Sequence, residues 1–303
     1  MSSLPDHATA YLAAEGFAGE LAHELGQIDW RSDRLLVTAG PPKPAAWAQN
    51  IWFDPVVIEI ASIADAARKL RAIQRNWVAY APRHHRRAML IQAQLPTVSA
   101  RPLVFGEPPP TAPLGSWTLV DQQTVLAAPH CASAFPNGEV RFVEDRTGPP
   151  SRAYRKLWEA LTLIGRRPLP GETCLDLGSS PGGWSWALQR LGARVISVDK
   201  APLAPEIARL PGIEHRSESA FALDPARIGP VDWLFSDVVC YPARLLALVE
   251  RWLAAETCRR FVCAVKFQGA TDHAVTASFA AIPGSHLRHL FHNGHELTWV
   301  KLD

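Results

Sequence analysis

Zinc-ligand spacing and a disulfide framework are both missing from this sequence. Its five cysteines, Cys131, Cys174, Cys240, Cys258 and Cys263, are scattered and odd in number, and no two form a C-x-x-C pair. Buried thiols in a reducing cytoplasm are the expectation, with no metal site. Charge of one sign is not in excess: 31 Lys and Arg against 29 Asp and Glu leave a net +2. That excludes a polycation argument, so any nucleic-acid site must come from local clustering. No uncharged apolar run reaches the ~18 residues of a membrane span, so no membrane association is expected. The opening MSSLPDHATA has no basic stretch leading into an apolar one, which argues against a secretory signal. Internal repeats and low-complexity tracts are absent too. What remains is a 303-residue chain, 48% hydrophobic and 20% charged, a globular composition long enough for two ordinary domains.

Proline, by contrast, is plentiful, and its 26 residues mark boundaries. Clusters fall at 41–45, 108–113 and 149–150. The last opens GPPSRAYRKLWEAL, which reads as a linker running into a helix, with Pro150 as the stop, Ser151 as N-cap and Leu157, Ala160 and Leu161 as the apolar stripe. This places a domain boundary near 147–150, giving an N-terminal domain over 1–147 and a second over 148–303. In the second, strands and helices alternate. ETCLDLG (172–178), ARVISVDK (193–200), VDWLFSDVV (231–239), RRFVCAVKF (259–267) and HELTWVKL (295–302) read as strands, and 183–191 and 243–254 as helices. Such alternation implies an α/β fold of Rossmann type with a mostly parallel sheet. Ligands in such sheets bind beyond the carboxyl ends of the strands, where Asp176, Asp199, Asp237 and Lys266 all fall. The N-terminal part reads as a small α+β domain. An amphipathic helix is expected over 11–25, a strand over 51–60, a helix over 61–77, and strands at MLIQAQL (89–95) and RPLVF (101–105).

The turn after the first of these strands is Gly178-Ser179-Ser180-Pro181-Gly182-Gly183. It lacks the G-x-G-x-x-G spacing of a dinucleotide site and the Gly-Lys-Ser/Thr of a phosphate loop. Its glycines still permit positive φ and close backbone approach. A nucleoside with a zwitterionic tail suits it better, such as S-adenosyl-L-methionine. Asp199, ending the next strand, can accept both ribose hydroxyls, and Glu218 can receive an adenine amino group. The cofactor set is therefore Asp176, Gly178, Ser180, Pro181, Gly182, Gly183, Trp184, Asp199, Glu218 and Asp237.

DLGSSPGGWS resembles motif I of the FtsJ-type RNA ribose 2′-O-methyltransferases, and SRAYRKLWEA (151–160) resembles their S-R-A-x-x-K-L-x-E segment. WLFSDVVCYPARLLALVERWL (233–253) and LFHNGHELTWV (290–300) look most like the RlmM branch, which methylates a cytidine ribose of 23S rRNA. The resemblance covers 149–303 and implies a Rossmann-like methyltransferase domain that uses S-adenosyl-L-methionine. It also implies a Lys-Asp-Lys-Glu tetrad, matched here by Lys156, Asp237, Lys266 and Glu296, with Lys266 as general base. The chemistry suits these types. A ribose hydroxyl is a poor nucleophile near neutral pH, and a group must take its proton as it attacks a sulfonium methyl. Burial and a neighbouring ammonium, Lys156, would help Lys266 spend time neutral. Asp237 and Glu296 fall to orientation and charge balance. The implied partner is RNA, 23S rRNA or a large-subunit precursor, with a monomer in the cytoplasm expected. Three other readings are a methyltransferase of tRNA or another RNA, a non-catalytic RNA-binding or ribosome-assembly factor, and a small-molecule methyltransferase.

Between Ala66 and Gly106 there are eight Lys and Arg and no Asp or Glu. Arg83, Arg86 and Arg87 form the densest group and are the expected RNA contacts, with Trp77 and Tyr80 interleaved as stacking aromatics. The family branch carries a THUMP-type RNA-binding domain at its N-terminus, and GFAGELAHEL (16–25) resembles the start of that region. A divergent THUMP-like module is the corresponding expectation for 1–147.

Overall fold

The computed structural model describes residues 7–302. Two compact units divide between Phe142 and Val143, so residues 143–147 go with the second unit. The bonding explains why. Glu144 pairs with Arg152 and Arg155, and the Asp145 carboxylate accepts the Thr147 and Gly148 N–H groups.

The first unit is built on two sheets. One holds β1 (Ala8–Ala13), β2 (Trp30–Ser32), β3 (Leu35–Ala39), β4 (Ala48–Phe53) and β9 (His130–Cys131), in the order β2-β3-β1-β4-β9. The other holds β5 (Val56–Glu59), β6 (Trp77–Ala79), β7 (Gly115–Leu119) and β8 (Thr124–Ala128), in the order β5-β8-β7-β6. The helices are α1 (Ala18–Leu25), α2 (Ile63–Ile73) and α3 (His85–Gln92). The period-2 alternation of a strand makes β8 the joint between two cores. Val125 and Ala127 pack with Leu70 of α2 and Ile91 of α3, while Leu126 and Ala128 pack with Ala10, Leu12 and Val37 of the first sheet.

Several sequence expectations for this unit are corrected. Residues 11–13 are strand, because β1 is a central strand buried along its length and paired on both sides; the helix begins at Ala18, after Gly16 turns at φ +84°. The expected 51–60 strand is two strands in different sheets, broken at Asp54 with φ +45°. The helix expected over 61–77 ends at Ile73, and Trp77 already belongs to β6. Residues 89–92 end helix α3, which buries Ala88 and Ile91 at helical spacing. RPLVF forms no strand; Leu103 makes a single bridge to Phe142.

The second unit contains β10 (Thr173–Leu177), β11 (Arg194–Val198), β12 (Ile213–Arg216), β13 (Trp233–Ser236), β14 (Arg260–Lys266), β15 (Ser285–Arg288) and β16 (Glu296–Lys301). They form one sheet in the order β12-β11-β10-β13-β14-β16-β15. β12 to β14 run parallel to β10, and β16 is antiparallel to both of its neighbours. The helices are α4 (Tyr154–Ile164), α5 (Gly183–Arg190), α6 (Pro205–Ala208), α7 (Pro225–Ile228), α8 (Pro242–Ala254) and α9 (His273–Ala281). This is the Rossmann-like α/β architecture expected, with its mostly parallel sheet. α4 starts two residues later than expected: its N-cap is Ala153, and Ser151 instead accepts the Ala153 N–H. Strand order reverses between β10 and β13, the crevice where such sheets bind ligands. Because β16 runs backwards, its first residue lies at the carboxyl end of the parallel strands. No helix among the described residues is long and apolar enough to cross a membrane.

Candidate active site

The glycine turn leaves β10 over a buried acid. Asp176 is fully buried; its Oδ2 accepts the Ser185 hydroxyl at 2.6 Å, Ser185 also pairs with Ser197, and Oδ1 has no hydrogen-bond partner. Burial pushes the Asp176 carboxyl up to about 7 against that hydrogen bond, and the nearby Asp237 and Asp199 carboxylates add to the rise. Gly178 has φ +74°, and a Cβ there would lie 2.5 Å from the Val238 Cα, so the backbones of the turn and of the segment after Asp237 are in direct contact. Gly182 has φ +115°, and a Cβ would meet the Ile207 side chain at 2.7 Å. Gly183 opens α5 against the Ser151 hydroxyl. Ser180 donates its N–H to Asp199 Oδ2 at 3.1 Å and its hydroxyl to the Pro202 carbonyl. Pro181 accepts the Ala204 N–H through its own carbonyl.

Other predicted cofactor residues are spread more widely. Asp199 is half-buried, and its Oδ1 also accepts the Ala201 N–H. Glu218 is exposed, two residues past β12 at the same end of the sheet. Trp184 faces inward: its ring is buried and its Nε1 donates to the Ala153 carbonyl. A narrow backbone cradle, a carboxylate beside it and the unpartnered Asp176 Oδ1 fit a nucleoside carrying a cationic, zwitterionic tail.

The tetrad residues meet at the same edge. Lys156 Nζ lies 2.7 Å from Asp237 Oδ1 and 3.0 Å from Glu296 Oε1. Lys266 Nζ lies 2.9 Å from the same Asp237 Oδ1. A single carboxylate oxygen therefore holds both ammonium groups. Topology explains the meeting. Asp237 follows β13, Lys266 ends the parallel neighbour β14, and the antiparallel register sets Glu296 directly opposite Lys266. Lys156 comes from the first turn of α4. All four side chains are largely buried. For Lys156, burial alone would drive the ammonium toward its neutral form, but Asp237 and Glu296 outweigh it and hold its pKa above the ordinary lysine value. Lys156 is thus a fixed cation.

Sequence reasoning quoted Glu159 within a motif but gave it no role. One turn along α4 from Lys156, its buried carboxylate accepts the backbone N–H groups of Phe291 at 2.7 Å and His292 at 3.0 Å. These residues shape the turn into β16, so one helix grips both Glu296 and the turn that leads to it. Burial pushes Glu159 up to about 8, although both N–H bonds and the Arg288 charge pull the other way. The trailing acid of S-R-A-x-x-K-L-x-E, three residues after Lys156, was the available signal.

In the first unit, Arg83 and Arg86 are exposed and Arg87 is half-buried. Trp77 and Tyr80, expected to stack on bases, are both buried. Trp77 Nε1 donates to the Leu70 and Gln74 carbonyls, and the Tyr80 hydroxyl donates to Asp33. They are core residues, so the aromatic half of that expectation is withdrawn. Part of the basic run is also neutralised, since Arg68 and Lys69 pair with Asp65. Four of the five cysteines are buried, and no group of three or more His, Cys, Asp or Glu among the described residues is arranged to hold a metal ion.

Comparison with known proteins adds a family to this geometry. Residues 149–276 match the FtsJ-like methyltransferase family. The chain is similar to ribosomal RNA large subunit methyltransferase M of Halorhodospira halophila, 36% identical over 172 residues, covering 54% of this chain and 50% of that protein. The protein of the same name from Azotobacter vinelandii is 38% identical over 155 residues, 49% of this chain and 43% of the other. The chain thus spans about half the length of the curated relatives it matches. Among solved structures, it overlaps magnesium protoporphyrin IX methyltransferase of Synechocystis with bound S-adenosylmethionine at TM-score 0.36 and 18% identity, over 50% of this chain and 78% of that one. The matched segment, residues 149–276, holds the glycine turn and three of the four tetrad residues, Lys156, Asp237 and Lys266.

Proposed function

We propose that the protein methylates a ribose 2′-hydroxyl in RNA, with S-adenosyl-L-methionine as methyl donor and a cytidine of 23S rRNA, free or in a large-subunit precursor, as acceptor. The observation that carries this reading is the cluster of two lysines and two carboxylates beside the glycine turn. The names of the curated relatives support the choice of large-subunit rRNA.

The backbone of Gly178–Gly183 would hold the donor, with Asp199 on its ribose, Glu218 near its adenine and Asp176 beneath the turn. When bound, the donor supplies an electrophilic methyl group on a sulfonium. Lys266 Nζ takes the proton from the ribose 2′-hydroxyl as that oxygen attacks. General-base help of this kind is worth about 10²–10⁴ in rate, and alignment of the reacting atoms adds more. Asp237 fixes the Lys266 amine through the 2.9 Å contact. Lys156 stays an ammonium against Asp237 and Glu296. Glu296 balances the Lys156 charge. In the first unit, the exposed Arg83 and Arg86, with Arg87 beside them, contact RNA phosphates in a divergent THUMP-like module, and the reaction takes place in the cytoplasm.

The test is to incubate the purified chain with S-adenosyl-L-methionine and total RNA from cells lacking its gene, then map ribose methylation across every RNA. One new 2′-O-methyl site in 23S rRNA is expected. A site in tRNA alone would overturn the rRNA assignment. Methylation of a base, or none, would overturn the ribose chemistry.

A further inference from the structure

Val239 and Tyr241 follow Asp237 by two and four residues, in the loop between β13 and α8. Val239 is 71% exposed and Tyr241 66%, the two highest values for large apolar side chains among the described residues. Cys240 between them is buried, and the Lys266 and Arg244 charges act on its thiol. The loop therefore buries Cys240 and turns its two neighbours outward. The platform is also stiff. The Tyr241 carbonyl accepts the Arg244 and Leu245 N–H groups, and Pro242 fixes the next φ at the start of α8. Exposed Arg244 places a guanidinium one turn further on, 3.9 Å over the Phe221 ring.

Isolated apolar side chains on a surface need no explanation, but the two most exposed ones adjoining a catalytic cluster point to a ligand. The ligand follows from the proposed ribose methylation, on which this inference rests. A ribose presented to Lys266 sits beside Asp237, from which this loop departs, and brings its own base and its neighbours' bases with it. Every base has a π-face that stacks on an aromatic ring whatever the sequence. Inside a duplex those faces are covered by adjacent base pairs, whereas unpaired bases in loops and single strands can be splayed onto aromatic side chains. We propose that Tyr241, flanked by Val239, is the stacking platform for an unpaired base at or beside the acceptor nucleotide, so that the enzyme accepts its ribose only in single-stranded or looped-out RNA.

Two readouts test this. The first is methyl transfer by the full chain to a short single-stranded RNA carrying the acceptor site, compared with the same RNA annealed to its complement. Tyr241→Ala is expected to raise KM for the single strand about 5- to 150-fold, with cofactor affinity unchanged. Tyr241→Phe keeps the ring and is expected to restore the wild-type KM. The annealed RNA is expected to be a poor substrate for every form. A wild-type KM in Tyr241→Ala, equal impairment in Tyr241→Phe, or efficient turnover of the duplex would each overturn the platform. The second readout is fluorescence-polarisation binding of a labelled single-stranded RNA, which needs no turnover. Weaker binding in Tyr241→Ala with recovery in Tyr241→Phe supports the platform, and equal binding in all three forms overturns it. Absence of transfer by the wild type would count against the methylation reading alone.

Discussion

The two halves of the candidate site are built from different materials. The glycine turn is a backbone structure: Gly178 and Gly182 hold positive φ angles where a Cβ would collide, and Ser180 contributes its N–H. The tetrad is a side-chain structure, four charged groups joined by contacts of 2.7 to 3.0 Å through one oxygen of Asp237 and one of Glu296. The first half depends on the absence of side chains, the second on their charge. Substitutions should therefore separate cofactor binding from chemistry, although the two halves touch where Gly178 meets Val238.

The strongest way to break the separation lies at its junction. Asp237→Asn leaves two ammonium groups sharing the single charge of Glu296. Breaking a buried ion pair by neutralising one partner costs roughly 3–5 kcal/mol, and Lys266 loses its orienting carboxylate. Single-turnover transfer should fall by more than about 10², together with the urea midpoint. Full activity at unchanged stability would mean that the shared oxygen is incidental.

Next in size is Gly178→Val. A branched side chain at φ +74°, against the Val238 backbone, should weaken cofactor affinity about tenfold or more. The rate at saturating cofactor should change less. An unchanged dissociation constant by calorimetry would remove the backbone cradle.

A smaller effect sharpens the comparison through pH. Asp176 and Glu159 are carboxyls raised to about 7 and about 8 in the fold, each above its ordinary value, chiefly by burial. In the unfolded chain they ionise at lower pH, so folding takes up protons in between. Their contribution to stability is complete below their ordinary values near 4 and is lost as pH rises to about 7 for Asp176 and about 8 for Glu159. Unfolding midpoints between pH 5 and 9, read as about four points across the range, should decline less steeply in Asp176→Asn and Glu159→Gln than in the wild type. Parallel curves would contradict the assignment.

The smallest expected change is Arg86→Ala. Loss of one phosphate contact should lower the slope of log affinity against log salt by about 0.7–0.9 in filter-binding titrations, without altering transfer at saturating RNA.

Much of the second unit was legible because a parallel sheet buried on both faces writes its strands as continuous apolar runs. CLDL, VISV and WLFS are such runs, and each leads into a turn near an acid. The strands β12 (IEHR) and β15 (SHLR) escaped notice because they lie at the edges of the sheet and are polar and partly exposed. The first unit read poorly for a related reason. Its strands are short, and YLA at 11–13, buried at the centre of a sheet, has no alternation to distinguish it from the start of a helix. In α3, exposed Met89 and Leu90 masked the spacing of Ala88 and Ile91. Within the site, Asp237 and Lys266 were legible from their places at strand ends. Contacts over 81 residues, as from Lys156 to Asp237, or 132, as from Glu159 to Phe291, leave no local trace.

The central claim is that Lys266 performs the proton transfer while the glycine turn independently holds the donor. One preparation of Lys266→Ala tests it, with S-adenosyl-L-methionine affinity measured by calorimetry and single-turnover transfer to 23S rRNA measured on the same sample. The account predicts wild-type affinity with transfer reduced by about 10²–10⁴ or more. Wild-type transfer, or loss of cofactor binding in step with activity, would contradict it.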